Sequence, residues 1–345
     1  MTSDVSEFKI FLSKLATGVA LTEVEAAQAF EIIMSGNATP AQTGAFLMGL
    51  SVRGETVAEI AGAARVMRNK MLKVKAPASA IDIVGTGGDG IGTLNVSTAS
   101  AFVVAGAGVP VAKHGNRAFS SKSGAADVLT ALGVNIDADL DIVQQAIHDI
   151  GIGFLMAPRH HGAMRHVGGA RVELGMRTIF NLLGPLSNPA MVKYMLVGTF
   201  ARKWVEPMAK ALAMLGVERA WVVHGGDGLD EISLSGPTIV AELKGGNVTL
   251  SEISPKDAGI QSQPLSNVKG GTPEQNAAAL RAMLGGAKGA FRDFVLLNAG
   301  AALVIAGKAR SLGEGAEIAA VSIDGGKALK ALDDLVLLTR RADML

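Results

Sequence analysis

Apolar residues recur at helical spacing through the first 74 positions of the chain. Three threonines, Thr22, Thr39 and Thr56, are each followed three residues later by Glu or Gln, the pattern of a capping box at a helix N-terminus. Gly36 and Gly54 stand where helices are expected to end. The pattern predicts three or four short antiparallel helices.

After a linker at residues 73–79, short β-rich runs alternate with helical stretches. Such alternation is typical of a parallel sheet wrapped by helices. Two later apolar runs flank a Gly-Gly-Asn turn and predict a hairpin that adds an antiparallel edge. The predicted strands cover residues 81–84, 109–112, 152–156, 194–199 and 220–223, and the hairpin covers residues 238–243 and 248–252.

The predicted fold class is therefore α/β, with two domains. The first is a small all-helical domain at residues 1–74, and the second is a large domain that begins near residue 80 and has a mainly parallel sheet wrapped by helices. Residues 165–189 are predicted to form one helical run that contains Arg171 and Arg177.

Composition excludes several classes of function. The chain has 345 residues, of which 49% are hydrophobic, and a formal net charge of +1, so no broad positive field for nucleic acid is expected. There are no cysteines, which excludes disulfides and thiolate metal sites and fits a reducing compartment. No leader pattern and no apolar stretch of the roughly 20 residues needed to span a membrane is found. A cytoplasmic protein without a membrane or nucleic-acid partner is expected.

A glycine-rich segment follows the first predicted strand. Residues 85–98 read Gly-Thr-Gly-Gly-Asp-Gly-Ile-Gly-Thr-Leu-Asn-Val-Ser-Thr. Glycines let backbone N–H groups approach an anion, and the apolar run at residues 99–105 supplies a helix whose N-terminus faces the loop. Asp89 would repel a phosphate unless a metal ion stood between them. The segment predicts a cation-bridged phosphate site, although close packing of the strand against the helix would also require glycine.

A basic, hydroxyl-rich segment at residues 113–124 follows the second predicted strand. Because parallel strands joined by one helix end at the same edge of a sheet, this segment is expected to form a loop beside the glycine-rich one. Lys113, Arg117 and Lys122 would then neutralise the bound phosphate. The alternative is a solvated charged face, but here the cations alternate with Gly, Asn and Ser at a strand end and do not follow a helix.

Two adjacent carboxylates, Asp230 and Glu231, come after another predicted strand. One or two carboxylates suit magnesium, whose other positions are filled by water and phosphate oxygens. Alone, an Asp-Glu pair is usually a polar turn. Its place after a strand of the same sheet favours a magnesium site.

Five segments together resemble the anthranilate phosphoribosyltransferase family. They are residues 85–89, 95–98, 113–117, 177–186 with Asn188-Pro189, and 227–231, and they occur in the family's order across essentially the whole chain. The resemblance implies transfer of the phosphoribosyl group from 5-phosphoribosyl 1-pyrophosphate to the amine of anthranilate, in tryptophan biosynthesis. It also implies a fold like that of the nucleoside phosphorylases and a homodimer. In the family, residues 165–189 complete the helical domain, which leaves residues 80–164 and 190–345 to the large α/β domain.

The resemblance also implies roles for individual residues. The phosphoribosyl pyrophosphate set is Gly85, Gly88, Asp89, Thr93, Asn95, Val96, Ser97, Thr98, Lys113, His114, Gly115, Asn116, Arg117, Ala118, Phe119, Ser120, Ser121 and Ala125. The anthranilate set is Gly85, His114, Asn116, His161 and Arg171. The magnesium set, expected to hold two ions, is Ser97, Asp230 and Glu231. A guanidinium at Arg171 also suits a carboxylate substrate on chemical grounds. No acid or base is assigned, because the aromatic amine is neutral and attacks a centre that is nearly a cation.

The chain departs from the family's pattern at three places. Ala125 stands where a serine is usual, Gly162 follows His161 where a proline is usual, and Gly168-Gly169 precede Ala170-Arg171 in place of a more rigid Ala-Pro. These changes are expected to affect affinity and loop stiffness and to leave the reaction itself unaltered.

Two other functions predict different sequences. A nucleoside phosphorylase would carry a different first loop and a base-reading site in place of Arg171. A binding protein without catalysis, such as one for nucleic acid, would show broad positive charge and would not need Asp230 and Glu231. Neither pattern is found in the sequence.

Overall fold

The structure, a computed structural model, describes residues 2–118 and 122–340, with side chains from residue 7 onward. The α-helices of this part are α1 Thr2–Ala16, α2 Glu23–Met34, α3 Pro40–Arg53, α4 Val57–Lys70, α5 Val96–Gly106, α6 Ala125–Ala131, α7 Leu140–Gln145, α8 Ala157–His160, α9 Arg165–Leu174, α10 Phe180–Leu183, α11 Val205–Met214, α12 Pro273–Leu284, α13 Ala290–Ile305, α14 Leu312–Asp324 and α15 Lys327–Arg340. The strands are β1 Ile81–Gly85, β2 Val111–Gly115, β3 Ile152–Met156, β4 Tyr194–Gly198, β5 Arg219–Gly225, β6 Thr238–Lys244 and β7 Asn247–Ile253.

The predicted helices of the first 74 residues are confirmed. Thr22, Thr39 and Thr56 each accept the backbone N–H three residues on and receive the reciprocal side-chain bond, so all three capping boxes form. Phe46 lies at the centre, with ring centroids 5.3 Å from Phe8 and 5.7 Å from Phe30. These buried rings hold α1, α2 and α3 together.

The seven strands form one sheet in the order β3-β2-β1-β4-β5-β6-β7. The pairs among β1 to β5 are parallel, while β6 and β7 are antiparallel to their neighbours. Gly245 and Gly246, at φ of 58° and 82°, make the two-residue turn between β6 and β7. The mainly parallel sheet with an antiparallel edge is therefore confirmed.

Strand β2 begins two residues later than the sequence predicts. The carbonyl of Pro110 accepts the N–H of Ile81 at 2.9 Å, but proline has no N–H of its own, and the ladder with β3 starts at Val111. The strand also ends three residues later than predicted, at Gly115, so Lys113 and His114 are buried strand residues. Their placement in a loop was wrong.

The prediction of one helix across residues 165–189 was also wrong. Helix α9 ends at Gly175, which adopts a left-handed conformation with φ of 58°. A new turn starts where the Asn181 side chain accepts the N–H of Thr178 at 2.9 Å, and α10 lasts only four residues. Arg171 therefore lies on α9, and Arg177 lies in the turn that follows.

Helices cover both faces of the sheet. On one face Phe102 of α5, Leu303 of α13 and Leu332 of α15 pack in a single buried core. On the other face, the core of the first helices continues without a break into the sheet, since Phe30 of α2 and Met195 of β4 belong to the same cluster. Residues 72–77 contain no helix or strand, as the predicted linker requires.

Across residues 2–118 and 122–340, every helix is too short or too polar to cross a lipid bilayer.

Candidate active site

The site lies where the carboxyl ends of β1, β4 and β5 meet. The glycine-rich loop leaves β1, and its Thr86 N–H donates to Gly198 O at the end of β4 at 2.9 Å. The Thr86 hydroxyl accepts the N–H of Phe200 at 2.9 Å. From β1 the chain crosses to β2 on one side, whereas β4 lies on the other. Such a reversal in strand order opens a crevice that commonly binds ligands.

Two glycines shape this crevice. Gly85 and Gly198 face each other in the β1/β4 register, and Asp230 occupies the space beside them. A Cβ on Gly85 would overlap the Asp230 carboxylate, and a Cβ on Gly198 would overlap the Asp230 backbone. The N–H of Gly87 donates to Asp230 Oδ2 at 2.6 Å, which joins the glycine-rich loop to the chain after β5.

The carboxylates at this point are crowded. Burial, and then the neighbouring Asp89, raises the pKa of Asp230 to about 7. Burial, and then Asp230, raises the pKa of Glu231 well above its usual range, although Lys113 and a hydrogen bond with Ser97 partly offset the effect. The cluster carries more negative charge than its surroundings balance, and a divalent cation would relieve that excess.

The donor set fits magnesium. Asp89, Asp230, Glu231 and the Ser97 hydroxyl all supply oxygen, the ligand atom that magnesium prefers. Within the described residues, no three His, Cys, Asp or Glu side chains already form a complete metal site. Magnesium usually takes only one or two protein carboxylates and completes its shell with water and substrate phosphate. The arrangement therefore suits a metal ion that is shared with a phosphate ligand.

Magnesium is expected to raise the melting temperature more at pH 8 than at pH 6. The pKa of Asp230 is raised from 3.8 to about 7, so at pH 6 a metal ion must displace a proton from this carboxyl group. A raised carboxyl pKa also means that the metal-free protein loses stability as pH rises from 3.8 to about 7, and the metal restores it. Scanning fluorimetry at both pH values measures the shift, with Asp149→Asn at an exposed position as the control. Equal shifts at the two pH values would remove Asp230 from the metal set.

Lys113 is the buried cation of the site. Its ammonium donates to Ile83 O at 2.6 Å and lies 3.5 Å from the Ser97 hydroxyl. Burial lowers the pKa of Lys113, while Asp82 and Glu231 raise it. Lys113 thus stands between the glycine-rich loop and the carboxylates, as a positive charge that a phosphate ligand could approach.

The rest of the basic segment is only partly free. Arg117 pairs with Asp127 of α6 at 3.2 Å, and the same carboxylate accepts the N–H groups of Ala118 and Gly124 at 2.8 and 2.9 Å. Arg117 therefore already has an acidic partner on α6, and its part in neutralising a bound phosphate stays a prediction. Phe119, Ser120 and Ser121 lie outside the described residues.

Three other residues of the predicted phosphate set have side chains that are bonded within the protein or buried. Asn95 bonds to Ser123 O at 3.1 Å and accepts from Asn276 at 2.9 Å, so it ties α5 to its neighbours. Val96 and Thr98 are each 1% exposed. The Val96 N–H already donates to Leu94 O at 2.7 Å. The buried Thr98 hydroxyl has no hydrogen-bond partner among the described residues, so Thr98 is the one of the two that can still offer donors at the N-terminus of α5.

Four more residues of the predicted phosphate set lie at the edge of the sheet formed by the carboxyl ends of the strands, as expected. They are Gly88, Thr93, Gly115 and Asn116. Gly88 adopts a φ of 75° at the tip of the loop, and Thr93 forms an isolated bridge with Lys269. Gly115 ends β2, and the carbonyl of Asn116 accepts the N–H of Ala126 in the first turn of α6.

Two imidazoles face each other on the β2 side of the site. His114 Nε2 lies 3.2 Å from His161 Nε2, and His114 Nδ1 lies 3.2 Å from Gly184 O. Burial, and then His160, lowers the pKa of His161 to about 4, and burial with the neighbouring histidines lowers the pKa of His114 well below its usual range. Both rings are therefore uncharged at neutral pH and can donate or accept hydrogen bonds.

Arg171 supplies a cation on the helical side. Its guanidinium carbon lies 5.5 Å from the ring centroid of Phe180, and α10 leads from Phe180 directly to Gly184 beside His114. Burial lowers the pKa of Arg171, and no described carboxylate offsets that effect. A half-buried guanidinium of this kind suits a carboxylate ligand.

The remaining histidines have structural or surface positions. His160 Nδ1 lies 2.7 Å from Leu72 O, His224 Nδ1 lies 2.7 Å from Thr199 O, and His148 and His166 are exposed.

Arg177 was not assigned a role from the sequence. Its guanidinium donates to Gly88 O of the glycine-rich loop and lies 4.3 Å above the ring centroid of Phe200. The turn after α9 therefore reaches the loop directly. Arg177 begins one of the five segments that carry the resemblance, but its partner lies 89 residues away, which sequence spacing does not reveal.

The chain matches two family models. One is described as a glycosyl transferase family α/β domain and matches residues 77–329, and the other is the helical bundle domain of that family and matches residues 9–71. The chain is 60% identical over 333 residues to an anthranilate phosphoribosyltransferase of Paramagnetospirillum magneticum, covering 96% of each chain. It is 62% identical over 336 residues to that of Azospirillum brasilense, covering 97% of this chain and 94% of the relative.

Solved structures give the same similarity. The anthranilate phosphoribosyltransferase of Thermus thermophilus superposes with a TM-score of 0.91 at 45% identity, over 96% of this chain and 99% of its own. The Saccharomyces cerevisiae enzyme in complex with phosphoribosyl pyrophosphate and magnesium gives 0.88 at 29% identity, over 97% and 98%. The same yeast enzyme in complex with 4-fluoroanthranilate gives 0.85 at 28% identity, over 96% and 98%.

Proposed function

Because the chain belongs to the anthranilate phosphoribosyltransferase family, we propose that this site transfers the phosphoribosyl group from 5-phosphoribosyl 1-pyrophosphate to the amine of anthranilate. The products are N-(5-phosphoribosyl)anthranilate and pyrophosphate, formed in tryptophan biosynthesis. Within the site, the carrying observation is the bond from Gly87 N–H to Asp230, which joins a glycine-rich anion loop to a carboxylate pair suited to magnesium. The complexes of the yeast relatives with phosphoribosyl pyrophosphate, magnesium and an anthranilate analogue support this assignment.

The donor side holds the pyrophosphate. We assign the glycine-rich loop, the N-terminus of α5 and Lys113 to its oxygens, and Ser97, Asp230 and Glu231 to two magnesium ions. Magnesium, when bound, supplies positive charge that stabilises the departing pyrophosphate. Because the C1–oxygen bond breaks with its electron pair going to pyrophosphate, charge develops where these donors point.

The acceptor side orients anthranilate. We assign Arg171 to its carboxylate and place His114, His161, Asn116 and Gly85 along the same wall. The lone pair of the aromatic amine forms the new C–N bond at C1, and the amine then releases one proton to solvent. Both nitrogens of the His114 ring already have partners within the protein, so the neutral His114 and His161 rings line the acceptor site without adding charge beside the electrophilic carbon.

The test follows the fluorescence of anthranilate. In the presence of enzyme, magnesium and phosphoribosyl pyrophosphate the fluorescence should disappear, and it should persist when either the metal or the donor is omitted. A folded sample that leaves anthranilate unchanged at stoichiometric concentration would contradict the proposal.

Ala125→Ser is expected to tighten binding of phosphoribosyl pyrophosphate by a few-fold, or roughly 0.5–1.5 kcal/mol for one added hydrogen bond. Ala125 is the half-buried first residue of α6, next to Gly115 at the end of β2. If the position serves only to begin the helix, Ala and Ser differ little there. Calorimetric titration with the donor and magnesium measures the difference, and Ala131→Ser at the far end of α6 is the control. Equal dissociation constants would leave only the helical role.

We also propose that the domains divide as the sequence predicts, with residues 1–74 and 165–189 in the helical domain and residues 80–164 and 190–345 in the α/β domain. The 5.6 Å distance between the ring centroids of Phe30 and Phe180 supports the inclusion of α10 in the helical domain.

The proposed assembly is a homodimer formed through α3 and α9. These packed helices and the turn after them expose four large apolar side chains, Met48, Val52, Val172 and Met176, of which Val52 is 79% and Val172 is 74% exposed. Exposed apolar side chains of this kind on two packed helices favour association. Sedimentation equilibrium of the wild type and Val52→Glu tests the assembly.

A cytoplasmic location is also proposed, since the chain has no cysteine to form disulfides.

A further inference from the structure

Strands β1 and β2 lie side by side, but the backbone ladder between them stops almost at once. Strand β1 pairs with β4 over five residues, and β2 pairs with β3 over five, but β1 and β2 are paired only at Ile81 and Val111. Neighbouring strands of a parallel sheet normally share a continuous ladder. The sheet is therefore split along the line that leads to the site.

A buried carboxylate and a buried amide fill the split. Asp82 Oδ1 accepts the backbone N–H of His114 at 3.1 Å, and Asp82 Oδ2 accepts from Asn188 Nδ2 at 2.7 Å. The same Nδ2 donates to Ala112 O at 2.8 Å. Asp82 is 0% exposed and Asn188 is 2% exposed. Side chains thus replace the missing backbone bonds between the strands.

Lys113 of β2 is the third polar side chain in the split. Its ammonium donates to Ile83 O on β1 at 2.6 Å, across the split, and from there lies 3.5 Å from Ser97 of α5. In a regular ladder the Ile83 carbonyl would accept a backbone N–H of β2. Without the split, the ammonium could not occupy this place.

A polar split is costly for the sheet itself. The other residues of β1 that precede the glycine-rich loop, Ile81, Ile83 and Val84, are apolar and buried. Burial raises the pKa of Asp82 to about 6, and the nearby Lys113 partly offsets this rise. The raised pKa shows that the carboxylate is poorly solvated. An apolar residue and a continuous ladder would stabilise β1 more simply. The presence of Asp82 is therefore better explained by the groups that it positions than by the stability of β1.

Asp82 and Asn188 hold residues of both halves of the site. Asp82 fixes the backbone of His114, whose ring faces Gly184 O and His161. Asn188 anchors the chain just after Gly184, so the wall that receives the His114 ring is tied to the same carboxylate.

We propose that Asp82 and Asn188 are positioning residues for the transfer reaction. By holding β2 away from β1, they place Lys113 beside the donor loop and His114 in the acceptor wall. The inference rests on the proposed function and adds two residues that belong to none of the substrate or metal sets.

Amide and carboxylate exchange provides the test. Asp82→Asn places an NH₂ group against the NH₂ group of Asn188, and Asn188→Asp places two carboxylates together, so each single variant should strain the split. The double variant Asp82→Asn/Asn188→Asp restores one donor facing one acceptor and leaves only Ala112 O without its former partner. Each single variant is expected to lower kcat about ten- to a hundred-fold, the range for a small misplacement of reacting groups, and the double variant should recover much of that loss.

The control is Thr339→Val on α15, which removes a buried hydroxyl that bonds Leu335 O at 2.8 Å far along the chain from these residues. It should lower the melting temperature and leave kcat and both KM values unchanged. A purely structural role for Asp82 would give the same result as this control: lower stability, with unchanged kcat per folded molecule and no recovery in the double variant. That outcome would overturn the inference.

A second measurement does not depend on turnover. The chain has six histidines, and imidazole ¹⁵N NMR of the free protein should show shifted signals for His114 and His161 in Asp82→Asn, with the other four unchanged. If the wild type failed to consume anthranilate, the proposed function would fail while these signals still tested the split. Unchanged signals would overturn the positioning role. Should Asp82→Asn not fold, Asn188→Ala carries both measurements, because it alters a loop residue and leaves β1 intact.

Discussion

The double variant Asp230→Asn/Glu231→Gln is expected to lose roughly a hundred-fold or more in kcat while its melting temperature at pH 8 stays level or rises. The loss follows from removing the charges assigned to magnesium. The gain in stability follows from the raised pKa values of both carboxyl groups, whose ionised forms are unfavourable when buried. Because that penalty is fully present only above the folded pKa of about 7 for Asp230, the stabilisation should shrink as pH falls toward 3.8.

The matched control is Glu218→Gln/Glu252→Gln, which makes the same change in net charge at two exposed positions. It should alter neither kcat nor the response to magnesium. A metal-site variant that kept wild-type kcat across a magnesium titration would show that Asp230 and Glu231 serve only the crevice structure.

Arg171→Ala is expected to raise the KM for anthranilate on the order of ten- to a hundred-fold, with a smaller change in kcat. Loss of a charge-assisted hydrogen-bonded pair costs about 1.5–3 kcal/mol, and the substrate carboxylate is remote from the reacting amine. The half-buried guanidinium above Phe180 has no described carboxylate to offset its burial, so the substrate is the expected partner. Steady-state kinetics with each substrate varied in turn separates the two KM values.

Arg165→Ala, at an exposed position on the same helix, provides the comparison. It should leave both constants close to those of the wild type. If Arg171→Ala raised the KM for phosphoribosyl pyrophosphate instead, Arg171 would belong to the donor side and the acceptor assignment would be wrong.

Local signals in the sequence predicted most of the fold. The three capping boxes at Thr22, Thr39 and Thr56 and the Gly245-Gly246 hairpin depend on residues within a few positions of each other, and all were confirmed. The glycine-rich loop was likewise placed correctly at the end of β1. Short-range chemistry of this kind is readable because both partners lie in one window of sequence.

The errors and omissions have a common physical cause. Strand β2 starts after Pro110, whose carbonyl bonds to β1 but which has no N–H to donate. Helix α9 ends at Gly175 in a left-handed conformation. The spacing of apolar residues reveals neither feature. The bonds from Asp82 to Asn188 and from Arg177 to Gly88 join residues 106 and 89 positions apart. A lone aspartate in an otherwise apolar strand was the available signal for the first of these pairs.

The continuous core on the helical side of the sheet has a consequence for synthesis on the ribosome. The buried cluster of the first helices includes Val167, Phe180 and Leu186, which emerge long after residue 74. At about 5–20 residues per second, the roughly 110 intervening residues delay completion of that core by about 5–20 s. During this interval the nascent N-terminal helices carry apolar surface without its final partner. Although they are made first, they are thus among the last parts of the chain to complete their packing, and chaperones can bind the apolar surface meanwhile.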